Sequence, residues 1–215
     1  MHHEFWHEKW EKLEIGFHEG QVNALLARHF SQLALHEGAR VFMPLCGKAV
    51  DIEWIASQGF DVIGVELNES AVQQFFVERD IIPEITQTEH HKCYSFHNIR
   101  LYVGDFFTLD ASLIGHIDAI YDRAAMVALP LDIRQNYTNR LSKISNHAPI
   151  LLVTFSYDSS QASGPPFSIT ASEVSKHYAN QYTINQLESV ALPNGLKGSA
   201  DASEIIFLLH RAQSL

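Results

Sequence analysis

Glu66 closes an apolar run, Val62-Ile63-Gly64-Val65-Glu66, and stands 19 residues after Gly47. A carboxylate at a strand end, that far beyond a glycine-bearing turn, can accept paired hydrogen bonds from the two hydroxyls of a ribose. The plain alternative is a solvated strand end. Gly104-Asp105-Phe106 ends a later run. Asp105 is placed to accept a hydrogen bond from an adenine amino group and Phe106 to pack on the ring, although Gly-Asp-Phe also suits an ordinary turn. Tyr121-Asp122-Arg123 ends the next run. Its guanidinium can hold a carboxylate or an anionic acceptor in planar, bidentate fashion, or Asp122 and Arg123 can pair with surface charges.

Other residues point to less. Pro44-Leu45-Cys46-Gly47-Lys48 has one glycine where the dinucleotide fingerprint needs three, and it is no phosphate loop. Pyrophosphate-bearing cofactors therefore lose ground. Cys46 has no His or Asp in its local motif to activate it and reads as packing. His90, His91 and Cys93 fall in a polar stretch, Thr86–Ser95, that reads as a loop. A zinc site needs a second pair of ligands from elsewhere, so no metal is assigned. His2 and His3 read as a solvated terminus.

The elements that must position these residues alternate along the chain. Apolar, β-branched runs occupy 39–45, 61–67, 99–107, 116–121, 148–157, 183–192 and 204–211. Stretches with helical spacing fall at 49–58, 70–79, 131–145 and 171–179. Short, nearly all-apolar strands separated by helices are what a parallel sheet buried on both faces requires. The last two runs are joined by too few residues for a crossover helix and predict an antiparallel hairpin. The expectation is an α/β, doubly wound, mostly parallel seven-stranded sheet ending in that hairpin, the shape of class I S-adenosylmethionine (SAM)-dependent methyltransferases. In such sheets ligands sit at the carboxyl ends of the strands, where Glu66, Asp105 and Arg123 fall. Two helical segments precede the first strand. The second, 22–35, closes the core. The first carries Phe5, Trp6 and Trp10, and with Gly16-Phe17-His18 it reads either as a lid over a ligand or as plain packing.

At 215 residues the chain is long enough for one sizeable core, so residues 1–215 are expected to form a single domain, with 1–35 as a helical lid segment. Its 15 Lys+Arg against 25 Asp+Glu give a net charge of −10, which argues against nucleic acid as a partner. The apolar runs fall far short of the roughly 20 residues that span a bilayer, so no membrane partner is expected. Two cysteines and no evident secretory signal fit a reduced, cytoplasmic setting.

Taken together the motifs resemble those of the thiopurine S-methyltransferases, including their bacterial members. The likeness rests on Phe5-Trp6-His7-Glu8-Lys9-Trp10 with Gly16-Phe17-His18, and on Pro44-Leu45-Cys46-Gly47-Lys48 with Asp51. It continues through Gly64-Val65-Glu66-Leu67, Tyr121-Asp122-Arg123-Ala124, Ser156-Tyr157-Asp158 and Gly164-Pro165-Pro166-Phe167, in order across nearly the whole chain. The resemblance implies SAM as cofactor, contacted by Trp10, Leu45, Glu66 and Arg123, with Asp105 and Phe106 near adenine and Phe17 lining the acceptor pocket. It implies methyl transfer to thiopurine-like and other aromatic or heterocyclic thiols, and in some bacterial members to selenium or tellurium oxyanions. Met126 stands where a leucine is more usual. The segment 193–203 is shorter than in mammalian members, with Lys197 its only Lys or Arg.

No catalytic side chain is assigned. Aromatic and heterocyclic thiols ionise near neutrality and the thiolate is the reactive species, so no general base is required. A monomer acting on a small-molecule thiol or metalloid is expected. The rivals are a nicotinamide oxidoreductase, disfavoured by the missing glycines, and a non-catalytic SAM-binding sensor.

Overall fold

The computed structural model describes residues 3–16, 18–160 and 164–212. They form two compact units, one drawn from Met1–Ala24 and Leu35–Asp118, the other from Leu25–Ala34 and Ala119–Leu215.

The first unit opens with α1 (His3–Glu11). The chain then passes through α2 (Ala24–His29), which belongs almost wholly to the second unit, and returns to build β1 (Arg40–Pro44), α3 (Val50–Ser57), β2 (Asp61–Glu66) and α4 (Glu69–Val77). β3 (Glu84–Gln87), β4 (Lys92–Phe96), β5 (Ile99–Val103) and the short α5 (Ala111–Ile114) complete it. Its strands lie in the order β3-β4-β5-β2-β1. β1, β2 and β5 run parallel, with Pro44 opposite Val65 and Glu66 opposite Val103. The parallel strands are continuous apolar runs because both faces are covered: Val41, Phe42, Val62, Ile63 and Leu101 are inaccessible or nearly so. α4 starts where Asn68 caps it, the side-chain oxygen accepting from the Ser70 and Ala71 amides at 2.9 and 3.3 Å. Ala71, Val72, Phe75 and Phe76 form its buried stripe.

Residues 86–95 are not a loop. β3 and β4 pair antiparallel there, Ile85 opposite Tyr94, and β4 continues antiparallel onto β5. This hairpin adds two strands to the seven expected, so nine strands are found among the described residues. The signal was hidden because β3 is an edge strand exposed along its whole length, while β4 mixes polar residues with the buried Cys93 and Tyr94. Neither has the apolar run of a strand covered on two faces.

The second unit contains β6 (Ala119–Arg123), α6 (Leu131–Ile144), β7 (Ile150–Ser156), α7 (Ala171–Tyr178), β8 (Tyr182–Ala191) and β9 (Ser203–Arg211). Their order is β6-β7-β9-β8, with β6 and β7 parallel and both β7–β9 and β8–β9 antiparallel. The expected terminal hairpin is present, with an irregularity between Gln186 and Glu188. α2 is tied to the hairpin by Arg28 and His29, which meet the Glu188 carboxylate at 3.1 and 2.6 Å. No helix among the described residues is long and apolar enough to cross a membrane.

Candidate functional site

Three adjacent parallel strands of the first unit end in register, and the turns leaving them set Leu45, Glu66 and Asp105 side by side. The Cys46 amide donates to the Val65 carbonyl at 3.0 Å and the Gly104 amide to the Glu66 carbonyl at 2.9 Å, so the ladder continues one step into both turns. Leu45 adopts a left-handed backbone, φ 48°, which costs a non-glycine residue about 1–2 kcal/mol. Such strain is held only where surrounding structure imposes it, commonly at functional sites.

Glu66 is the centre of this row. Its carboxylate is 7% exposed and accepts from the Gly47 amide at 2.9 Å and the Asn68 amide at 2.8 Å. Burial pushes the carboxyl above its ordinary 4.5, against the hydrogen bonds from the Asn68, Gly47 and Leu67 amides. A carboxylate offers about four lone-pair sites, so these three donors leave acceptor capacity for a ligand hydroxyl. The solvated strand end is overturned, since Glu66 is buried. Gly47 is left-handed, φ 54°, and a Cβ there would lie 3.2 Å from the Trp10 ring. Cys46 packs as expected. Burial, reinforced by the Glu66 carboxylate, pushes its thiol well above 9.0.

α1 lies across the row and is fastened by three residues at i, i+4 and i+7, one face of a helix. His3 Nε2 stands 3.3 Å from Asp105 Oδ2. Asn68 Nδ2 donates to His7 Nδ1 at 3.1 Å, because Asn68 Oδ1 is already committed to capping α4. Trp10 is 3% exposed, against Gly47. The aromatic residues, with Gly16-Phe17-His18, read either as a lid or as plain packing. The docking face also uses two histidines, and His3, expected as part of a solvated terminus, is 43% exposed while it meets Asp105. Phe17 lies outside the described residues.

Asp105 opens a single 3-10 turn, its Oδ1 accepting from the Phe107 amide at 2.9 Å. Phe106 is buried at 2% exposure, edge-on to Phe107. His91, also buried, approaches the Asp105 carbonyl at 3.2 Å, and a Cβ on Gly104 would come within 2.4 Å of its ring. The turn carrying Asp105 is therefore set by a histidine that the sequence offered only as a loop residue. Among the described residues no group of three or more His, Cys, Asp or Glu could hold a metal.

In the second unit, Arg123 is the last residue of β6, partly exposed, and is followed by Ala124 in a left-handed conformation, φ 62°. Asp122 points the other way and is inaccessible, so it is not a surface charge. It accepts from the Met126 amide at 3.1 Å and from Tyr137 Oη at 2.8 Å. The Gly164–Ser168 loop is stitched down separately. The Phe167 amide donates to the Val127 carbonyl at 2.7 Å, Tyr157 Oη to the Pro166 carbonyl at 2.6 Å, and the Arg134 guanidinium lies 4.9 Å over the Phe167 ring.

Of the sequence-derived site residues, Trp10, Leu45, Glu66, Asp105 and Phe106 come together in the first unit, and Arg123 stands at a strand end of the second. Sequence reasoning passed over Asn68, His7, His3 and His91. The Asn-Glu-Ser run after β2 was a legible helix cap. The histidine partners carried no local signal.

A family model described as Thiopurine S-methyltransferase (TPMT) matches residues 1–205. A thiopurine S-methyltransferase of Teredinibacter turnerae is 51% identical over 207 residues, 96% of each chain. One from Xanthobacter autotrophicus is 43% identical over 213 residues, 99% of this chain and 100% of the other. Among solved structures, a Burkholderia thailandensis 1,6-didemethyltoxoflavin-N1-methyltransferase with bound S-adenosylhomocysteine aligns with TM-score 0.66 at 15% identity, covering 98% of this chain and 87% of that one. A TehB-like SAM-dependent methyltransferase from Corynebacterium glutamicum gives TM-score 0.56 at 14% identity, covering 98% of both. The fold is that of class I SAM-dependent methyltransferases.

Proposed function

The chain belongs to the thiopurine S-methyltransferase family, a family of SAM-dependent methyltransferases, and from that premise we propose that it methylates the sulfur of aromatic or heterocyclic thiols of the thiopurine kind. The proposal takes residues 1–215 as one domain with 1–35 as its lid, working as a cytoplasmic monomer. Selenite and tellurite, whose Se(IV) and Te(IV) centres keep a lone pair that can take the sulfonium methyl without prior reduction, are further candidate acceptors. The nicotinamide alternative falls with family membership.

The observation that carries the reading is the buried Glu66 carboxylate, held by the Gly47 and Asn68 amides yet with acceptor capacity left, on the strand between those that lead into Leu45 and Asp105, with Trp10 packed against Gly47. In this proposal Glu66 accepts the ribose hydroxyls, Asp105 the adenine amino group, and Phe106 backs the adenine while Leu45 and Trp10 close over the nucleoside. Arg123 presents a planar, permanently charged fork to an anionic group of cofactor or acceptor. Phe17 lines the acceptor side. When bound, SAM supplies a sulfonium methyl that a soft anion takes by in-line displacement, leaving S-adenosylhomocysteine. The chain's own contribution is alignment and exclusion of water, for which well-held reactants gain on the order of 7–11 kcal/mol. An acceptor arriving as thiolate needs no base from the protein.

The test is a panel of aryl and heterocyclic thiols, selenite and tellurite incubated with SAM, with S-adenosylhomocysteine release as the readout. Turnover confined to thiols supports the proposal for sulfur and removes the metalloids. Failure of every thiol refutes it.

A further inference from the structure

The turn that carries Arg123 is closed from behind by the residue before it. Successive side chains of a strand point to opposite faces, so Asp122 enters the core as Arg123 leaves it. One Asp122 oxygen takes the Met126 amide, four residues on, and the other takes the Tyr137 hydroxyl from α6. The chain between them includes Ala124, whose left-handed backbone would relax if the closure were lost. An ionised carboxylate accepts at both oxygens, and hydrogen bonds to it are roughly twice as strong as neutral ones.

We propose that Asp122 is a positioning residue for methyl transfer, fixing through the Met126 amide and the Tyr137 hydroxyl the turn that presents Arg123. This rests on the ligand role assigned to Arg123 above. The titratable groups around the carboxylate are Tyr137 of α6, Tyr178 of α7 with Tyr182 of β8 behind it, and Arg123 on its own strand. Burial pushes Asp122 up to about 6, with the Tyr137 and Met126 hydrogen bonds opposing. Loss of its charge below that pH weakens the closure while all three phenols stay neutral.

The experiment measures methyl transfer to an electron-poor aryl thiol, fully ionised across the range, and S-adenosylhomocysteine affinity by calorimetry, both from about pH 5 to pH 8. Wild type, Asp122→Asn and Tyr137→Phe are compared. In wild type a loss of rate or affinity centred near pH 6 is expected. Glu66 is also raised by burial and sets its own loss, common to all three proteins, so the differences between them isolate Asp122. Asp122→Asn removes its share of the loss and lowers the rate at pH 8 roughly tenfold. Tyr137→Phe, which deletes a hydrogen bond that favours the ionised form and is one of the two that fix the turn, moves the midpoint upward and lowers the rate at pH 8, though by less than Asp122→Asn. A merely structural residue would not shift the midpoint. Superimposable profiles for wild type and Tyr137→Phe overturn the proposal, even where Asp122→Asn fails to fold. Absence of methyl transfer by wild type, with the affinity differences intact, refutes the thiol reading and leaves Asp122 its role.

Discussion

Replacing Asp122 by Asn is expected to stabilise the protein at neutral pH while impairing it. The carboxyl is inaccessible and titrates at about 6 against an ordinary 3.8. At about 1.36 kcal/mol per pKa unit, holding that charge in the folded state costs about 3 kcal/mol. The sign follows from proton counting. Below pH 3.8 both states hold the proton and nothing is lost. Between 3.8 and about 6 only the folded state holds it, so stability falls as pH rises, and above 6 the whole cost is present. Asn has similar shape and no charge, so every other titrating group cancels when the variant is subtracted from wild type. Urea unfolding of both proteins from about pH 4 to pH 8 measures the difference at each pH. The advantage of Asp122→Asn should grow by about 2.5 kcal/mol across the range, the first half kcal/mol or so of the cost being already present at pH 4, and is readable against the 5–15 kcal/mol typical of a whole domain. A constant difference, or wild type gaining on the variant as pH rises, would refute the reasoning.

Glu66→Ala removes an acceptor for two ribose hydroxyls, each charge-assisted bond being worth about 1.5–3 kcal/mol, so SAM affinity should fall by about 100-fold or more in calorimetry. Unchanged affinity removes Glu66 from the site. Arg123→Lys keeps the charge and loses the planar fork. Turnover of an anionic aryl thiol should drop severalfold, and equal turnover would show that no bidentate contact is made. Gly47→Ala puts a Cβ at 3.2 Å from Trp10 and forces a left-handed alanine, so it should cost about 1–2 kcal/mol in denaturation. It should also weaken SAM binding, because the Gly47 amide holds Glu66. Wild-type stability in this variant would contradict the close packing of α1.

What could be read in advance, and what could not, divides along one physical line. β1, β2, β5, β6 and β7 are largely buried on both faces, which forces a nearly all-apolar run, and a carboxylate or guanidinium at the end of such a run stands out. Glu66, Asp105 and Arg123 were legible for that reason. The hairpin of β3 and β4 lies at the margin of its unit, where one covered face suffices and polar residues are free to intrude. His3 and His7 are placed by α1 docking, and their partners Asp105 and Asn68 are 102 and 61 residues away, a separation no local pattern encodes. Asp122 is the sharpest case. Sitting next to Arg123 at a strand end, it reads equally as a residue pairing with surface charges, yet the period of the strand sends the two to opposite faces, and Asp122 is the one that enters the core to meet Tyr137 of α6. A charged residue beside a site residue is therefore best read by strand parity first: the one facing the ligand binds, and the one facing the helix holds its neighbour in place. Tyr137→Phe tests that parity directly, because it alters nothing on the ligand side of the strand.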